Sequence, residues 1–312
     1  TKSKNQTDLV DKMKQLTWTG KNVVSEQEHH AKHLQVQRSH NKRHNGMIGE
    51  SFKFTLPAVT LSKICPQHEV FMCPCCGACI SAWTITWWGQ FGCPNCGIVD
   101  RHRVVCYDFL IDPPPQLMLP GPAFVAYFGP DPNHTKALRL ALPPMHLQEF
   151  DFFASGYHPQ YARTTIRADV QNIPLQNNAL DGIIILHVLE HVPNLHAALS
   201  EMHRVLQPGG FVQHDTPCYY HTEKVLNWVE DCERTRREGN AEYLCRQPDH
   251  LWGYGCEALD NEFRAKSFSC KRALRHATEP DLVRFIGPMY NGFNEPIATI
   301  RGRTRCYARG KD

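Results

Sequence analysis

Downstream of a polar opening stretch, the apolar residues fall into two alternating rhythms. Ala123-Phe-Val-Ala-Tyr-Phe128 is apolar throughout and reads as a strand covered on both faces. Thr135 to Leu142 reads as a short helix closed by Pro143-Pro144. Met145 to Asp151 and Thr164 to Ala168 give weaker strand signals, and Gly182-Ile-Ile-Ile-Leu186 is a second fully apolar strand. Leu195, Ala198, Leu199, Met202, Val205 and Leu206 then recur on one face of a helix. Pro208-Gly209-Gly210 ends that helix, and Phe211 to His214 starts another strand. Strands alternating with helices predict an α/β fold, a doubly wound Rossmann-like sheet occupying residues 108–312.

Neither rhythm extends upstream. Residues 1–64 form a polar, His-rich arm in which Ser25 and Glu28 make a capping box for a helix reaching Asn45-Gly46. Its histidines at 29, 30, 33, 40 and 44 lack a cysteine or carboxylate framework, so they read as a solvated helix or an arm packed on a partner. Pro113-Pro-Pro115 and Pro120-Gly-Pro122 mark a linker. At 42% hydrophobic and 21% charged, the composition excludes a disordered tail, collagen and a plain coiled coil. A formal charge of +3 supplies no global field for a polyanion, which disfavours nucleic acid as a partner. No apolar run reaches the roughly 18–20 residues of a membrane helix. Beginning at Thr1 without a signal-peptide pattern, the sequence reads as a processed or truncated chain. Oligomeric state is not legible.

Cysteine changes the picture. Of 14 cysteines, eight lie between Cys65 and Cys106, which marks 65–107 as a separate metal-binding unit. Cys73-Pro-Cys-Cys76-Gly77 and Cys93-Pro-Asn-Cys96-Gly97 are two CPxCG turns, each offering a pair of thiolates. Cys73, Cys76, Cys93 and Cys96 together suit tetrahedral zinc in a closed, structural site, so the unit reads as a zinc ribbon. Cys75 and Cys79 offer competing registers, which the flanking Pro and Gly disfavour. Asp100-Arg-His-Arg103 follows directly and reads as a pin between ribbon and next domain rather than an anion site. The other six cysteines are scattered from Cys218 to Cys306. Reduced, they fit the cytoplasm, which is the expectation; paired, they fit a secretory lumen, as would the sequons at Asn5 and Asn133.

Leu180-Asp-Gly-Ile-Ile-Ile-Leu-His-Val-Leu-Glu-His-Val-Pro193, with Arg204-Val-Leu-Gln-Pro-Gly-Gly210, resembles the fourth strand, following helix and PGG turn of class I S-adenosylmethionine-dependent methyltransferases. Adding the two knuckles, the DRHR sequence and Gln247-Pro-Asp-His-Leu-Trp-Gly-Tyr-Gly255, the chain is similar to a zinc-ribbon branch of that family over about residues 70–260. The resemblance implies S-adenosylmethionine as cofactor, bound outside the carboxyl ends of the strands. It places Gly129 and Asp131 in the turn after the first strand and Asp151 against the ribose hydroxyls. Asp169 with Val170 would read the adenine, and His187 would border the methionine portion. The family's first turn carries several glycines, whereas here Gly129 stands alone before Pro130-Asp-Pro132, whose prolines lack backbone donors. That departure keeps a catalytically inactive binding or assembly subunit as an alternative.

Methyl transfer is an in-line displacement, and a hydroxyl acceptor also needs a base. Candidate bases are His187, His191, His214, Asp215 and the Asp249-His250 pair, with His250 first, supported by Asp249, and His187 beside it. Glu190 and His191 read as cap or packing residues at a helix entry. Tyr219, Tyr220, Trp252 and Tyr254 suit stacking on a sugar or aromatic acceptor, or the core. The expected activity is O-methylation of a small-molecule or glycan hydroxyl. A nucleic-acid methyltransferase is a further alternative, without the Asn/Asp-Pro-Pro-Tyr motif that base-amino methylases resemble.

Overall fold

The apolar runs pair into one seven-stranded sheet: β1 (Ala123–Phe128), β2 (Met145–Asp151), β3 (Thr165–Arg167), β4 (Leu180–Leu186), β5 (Leu206–Asp215), β6 (Phe268–Arg272) and β7 (Thr304–Ala308). These elements are seen in a computed structural model, which describes residues 51–52, 71–85, 91–141, 145–153, 165–216, 218–219, 225–227, 250–272 and 304–309. Apart from residues 51–52, the N-terminal arm lies outside the described residues, as do Asp249 and Tyr220. The spatial order is β6-β7-β5-β4-β1-β2-β3. Strands β1 to β5 run parallel, while β7 enters antiparallel to both β5 and β6. Chain order proceeds outward in opposite directions from the β1–β4 pair, which makes their junction the switch point of a doubly wound sheet.

Both faces of the sheet are covered, which explains the unbroken apolar text of β1 and β4. The helices are α1 (Asp100–Ile111), α2 (Pro132–Ala141), α3 (Leu195–Val205) and α4 (Cys256–Ala265). Phe124, Ala126, Phe128, Ile183 and Ile185 pack with Leu199 and Met202 of α3 and with Leu259 and Phe263 of α4. The alternate set, Val125, Tyr127, Ile184 and Leu186, packs with Val105 and Phe109 of α1, Leu138 of α2, and Phe71, Ile80 and Ile98 of the ribbon. The two-residue period of a strand sends neighbours to opposite sides. Helix α3 buries the face read from the sequence and is capped by Asn194, whose side chain accepts from the Ala197 amide at 3.0 Å.

Two boundaries differ from the sequence reading. Helix α2 starts at Pro132, because Asp131 caps it, accepting from the His134 amide at 2.9 Å, and proline suits a first turn. Strand β5 starts at Leu206, and Pro208-Gly-Gly lies within its register irregularity rather than ahead of it. Helix α1 runs through position 107, so ribbon and sheet share it.

The DRHR sequence pins, as expected. Asp100, His102 and Arg103 are buried, and the Arg103 guanidinium donates to the Ile98 carbonyl at 3.0 Å. His102 stacks on His134 with ring centroids 4.6 Å apart, and the Tyr127 hydroxyl lies 2.8 Å from His134 Nδ1. At the far end of α1, fully buried Arg305 of β7 binds Asp108 and meets Gln213 Oε1 at 2.8 Å. Cys270 and Cys306, directly paired in register between β6 and β7, form a disulfide, and Cys79 is also disulfide-bonded.

Candidate active site and cysteine cluster

The two knuckles fold by one rule. In the first, the Cys73 amide donates to Ala78 O at 2.9 Å and the Gly77 amide to Cys73 O at 2.8 Å; in the second, Cys93 donates to Ile98 O and Gly97 to Cys93 O at the same distances. Gly77 and Gly97 take φ of +69° and +73°, a left-handed turn that a side chain resists. The turns bring Cys73 Sγ to 3.8 Å from Cys96 Sγ, and Cys76 Sγ to 3.9 Å from Cys93 Sγ, with all four sulfurs within 4.8 Å of one another. Zn–S bonds of about 2.3 Å in a tetrahedron put sulfurs about 3.8 Å apart, so this donor set fits zinc. Left to themselves Cys73, Cys93 and Cys96 share charge unevenly. Hydrogen bonding from Cys73 and Cys96 drives the Cys93 thiol down, and the same bonding, with Cys75 acting on Cys73, drives Cys73 and Cys96 up. Cys75 points elsewhere, buried toward Cys106, and burial raises its thiol.

Next to the second knuckle, whose Gly97 faces the Asn133 side chain, parallel register gathers the carboxyl ends of five strands along one edge. Phe128 pairs with Phe150 and Ile185, Asp151 with Arg167, and Asp215 with Leu186. Gly129 follows β1 at φ +63°, and a β-carbon there would lie 2.6 Å from Val188 Cγ2, so no side chain fits between this turn and the one after β4. Asp131 is engaged as the cap of α2 and lies 3.8 Å from His102 Nδ1. Asp151 Oδ1 accepts from the Phe153 amide at 2.6 Å, shaping the turn after β2. Beyond β3, both oxygens of Asp169 accept from the Gln171 side-chain amide at 3.1 and 3.0 Å, and Val170 is buried.

His187 closes β4 with a left-handed backbone, φ +55°. Its ring bridges two carboxylates, with Nε2 3.2 Å from Asp215 Oδ2 and Nδ1 3.5 Å from Glu190 Oε1. Burial and Arg101 push the imidazole down, but Asp215 and Glu190 outweigh them and hold it above its ordinary value. Glu190, buried on the 3-10 turn Leu189–His191, also has His250 Nε2 at 3.9 Å and His191 Nε2 at 4.0 Å from the same Oε1. Burial raises its carboxyl, yet the imidazoles around it keep it below the usual carboxylate range. Glu190, read from sequence as packing, is the centre on which three histidines converge. The His-x-x-Glu-His spacing was the available signal, because positions three and four apart return to one side of a helical turn.

The structure separates the remaining candidates. His250 joins the cluster, held because the Leu251 amide donates to Glu190 O at 2.8 Å. His214 does not: it is buried, stacked on Phe263 at 4.5 Å, and burial lowers its pKa. The Trp252 indole donates to Val192 O at 2.8 Å and the Tyr254 hydroxyl to Leu189 O at 3.1 Å, so both brace the turn bearing Glu190.

Residues 148–213 match the family model Methyltransf_11, "Methyltransferase domain". A ubiquinone/menaquinone biosynthesis C-methyltransferase of Coxiella burnetii is 51% identical over 47 residues, 15% of this chain and 19% of that protein. A demethylmenaquinone methyltransferase of Staphylococcus epidermidis is 45% identical over 47 residues, 15% of this chain and 20% of that protein. The chain thus spans about a fifth of the length of the curated relatives it matches. Among solved structures, the CurJ carbon methyltransferase superposes with a TM-score of 0.43 at 14% identity, covering 66% of this chain and 54% of that one. Phosphoethanolamine N-methyltransferase 2 of Haemonchus contortus, bound to S-adenosylhomocysteine, gives 0.40 at 11% identity, covering 62% and 50%. Strand order and register, rather than these likenesses, carry the fold.

Proposed function

We propose that this chain, which carries a methyltransferase domain of the class I S-adenosylmethionine-dependent kind, transfers a methyl group to an acceptor hydroxyl of a small molecule or glycan. The observation that carries this reading is the convergence of Gly129, Asp151, Asp169 and the His187–Asp215 pair at the carboxyl edge of adjacent parallel strands. The fit of the donor rests on the bare, left-handed Gly129 backbone at the end of β1 and on an acid beyond each of the next two strands. S-adenosylmethionine supplies, when bound, an electrophilic methyl group on a sulfonium.

The residues then divide the work. Gly129 and Asp131 shape the first turn, Asp151 holds the ribose hydroxyls, and Asp169 with Val170 flanks the adenine. His187 takes the proton from the acceptor hydroxyl, and Asp215 orients the ring and stabilises the imidazolium that forms. Against burial, Asp215 and Glu190 hold that ring above its ordinary pKa, which makes it a stronger base than a free imidazole. His250, the first choice from sequence, stands behind Glu190 at 9% side-chain exposure against 27% for His187, which favours His187 as the base. Cys73, Cys76, Cys93 and Cys96 hold a structural zinc that keeps the ribbon packed on α1. The Cys270–Cys306 disulfide favours a compartment that sustains disulfides over the cytoplasm.

One observation supports the inactive-subunit reading: Gln171 already occupies both Asp169 oxygens, and Pro130 and Pro132 present no backbone donors. Calorimetry with S-adenosylhomocysteine separates the two. Binding that weakens at least tenfold in Asp151→Ala supports the enzyme, and no heat in the native chain leaves a scaffold.

A further inference from the structure

Glu190 is 1% exposed, and neither of its carboxylate oxygens has a hydrogen-bond partner among the described residues. An ionised carboxylate buried that way costs several kcal/mol unless something positive meets it. The three imidazole nitrogens around Oε1 stand at 3.5, 3.9 and 4.0 Å, beyond the 2.7–3.2 Å of an N–H···O bond. Two of them, on His191 and His250, are grouped with the carboxylate at the spacing of a metal-ligand set. One ligand atom each from Glu190, His191 and His250 lies within 4.8 Å of the other two. Around a cation with bonds of about 2.0–2.2 Å, such atoms sit about 3–3.5 Å apart. The cage is completed when the two imidazoles move about 0.5–1 Å closer to Glu190 Oε1, from 3.9 and 4.0 Å, and close on each other.

The frame around these donors is rigid. Glu190 and His191 share one 3-10 turn, the Leu251 amide ties His250 to it, and Trp252 and Tyr254 hydrogen-bond its neighbours. One side stays open, since the His191 side chain is 25% exposed.

We propose that Glu190, His191 and His250 bind one divalent cation of borderline softness, of the Zn²⁺ or Co²⁺ class, separate from the ribbon ion. Two imidazoles and one carboxylate suit such ions, and three protein ligands leave positions for an exchangeable oxygen. That oxygen is the acceptor's. Coordination lowers its pKa and fixes it beside His187, which shares Glu190 Oε1 with the cluster. This last role rests on the methyl-transfer reading, whereas occupation of the site does not.

The test is a Co²⁺ titration of the full, chelator-stripped chain, followed by absorption spectroscopy and by metal content after dialysis. The native chain takes one equivalent that shows thiolate charge-transfer bands and another that adds weak visible bands without them. His250→Asn and Glu190→Gln keep the thiolate bands, which report a folded ribbon, and weaken the second equivalent about 100-fold or more. His196→Asn, on the exposed face of α3, leaves both equivalents in place. Should Glu190→Gln fail to fold, His191→Asn and His250→Asn decide the matter. Equal second-equivalent binding in native and His250→Asn chains overturns the proposal. Calorimetry with S-adenosylhomocysteine on the same samples keeps the readings apart: a second cation without nucleoside binding strikes the enzyme and spares the site, and the converse does the opposite.

Discussion

The two donor clusters of this chain are built on opposite plans. In the ribbon, four identical ligands come from two copies of one turn and lie near the surface of a small unit. At the sheet edge, mixed ligands come from a strand end, a 3-10 turn and a segment far along the chain, and converge on a buried carboxylate. On the proposed reading, the first is a closed site in which zinc would replace a hydrophobic core too small to hold itself together. The second leaves His187 and His191 partly exposed and buries His250. The contrast teaches that local repetition builds the site proposed for a structural ion, whereas non-local convergence on charge builds the one proposed for the reacting end.

The largest expected effect breaks the first half of that comparison. Cys93→Ser removes one of four zinc ligands. Structural zinc carries about 10–16 kcal/mol of binding free energy that is also folding free energy, so the ribbon unfolds and zinc content falls to near zero. Phe71, Ile80 and Ile98 then leave the face of the sheet that they share with Val105 and Phe109, and the main thermal transition drops with them. Unchanged zinc content and melting would show that these cysteines hold no metal.

A smaller effect lies at the seam between ribbon and sheet. His134 is fully buried against His102 and Tyr127, beside Asp131, and burial, helped by Arg101, lowers its pKa to about 3. The folded ring therefore stays neutral while the unfolded one protonates near pH 6.5. Its contribution is intact above that value and declines as pH falls toward 3, by about 2 kcal/mol at pH 5. The stability difference between the native chain and His134→Gln, followed by denaturant unfolding, should shrink by that amount between pH 7 and pH 5. A difference independent of pH would place a charge on His134 in the fold.

The smallest effect sharpens the second half. Trp252→Phe deletes the indole bond to Val192 O and should cost about 1 kcal/mol. The same change loosens the turn bearing Glu190 and His191, so Co²⁺ affinity at that site should fall while the ribbon's is unaltered. Equal loss at both sites would argue against two independent clusters.

Legibility followed the same division. The knuckles were readable because Pro, Cys and Gly recur at fixed spacing and each turn closes on itself. Strands β1 and β4 were readable because burial on both faces leaves an unbroken apolar text, and α3 because one helical face is apolar. The insertion of antiparallel β7 between β5 and β6 was not, since nothing local in Thr304–Ala308 names its neighbours. Helix α2 began earlier than its apolar residues suggested because its start is set by the Asp131 cap. Of the edge residues, His187 and Asp215 were visible as strand-end polar groups. Glu190, read as a cap or packing residue, is buried in its turn, and its ring of histidines was not legible because it depends on His250, which only tertiary structure brings near.

The central claim is that the carboxyl edge at the β1–β4 switch point receives a sulfonium nucleoside despite its proline-containing turn. Isothermal calorimetry of the full chain with S-adenosylmethionine and S-adenosylhomocysteine tests it most directly. The account predicts one site per chain for each, with affinity reduced at least tenfold by Asp151→Ala and abolished by Gly129→Val, whose side chain would strike Val188. No heat with either compound in the native chain, or equal binding by all three proteins, would contradict it.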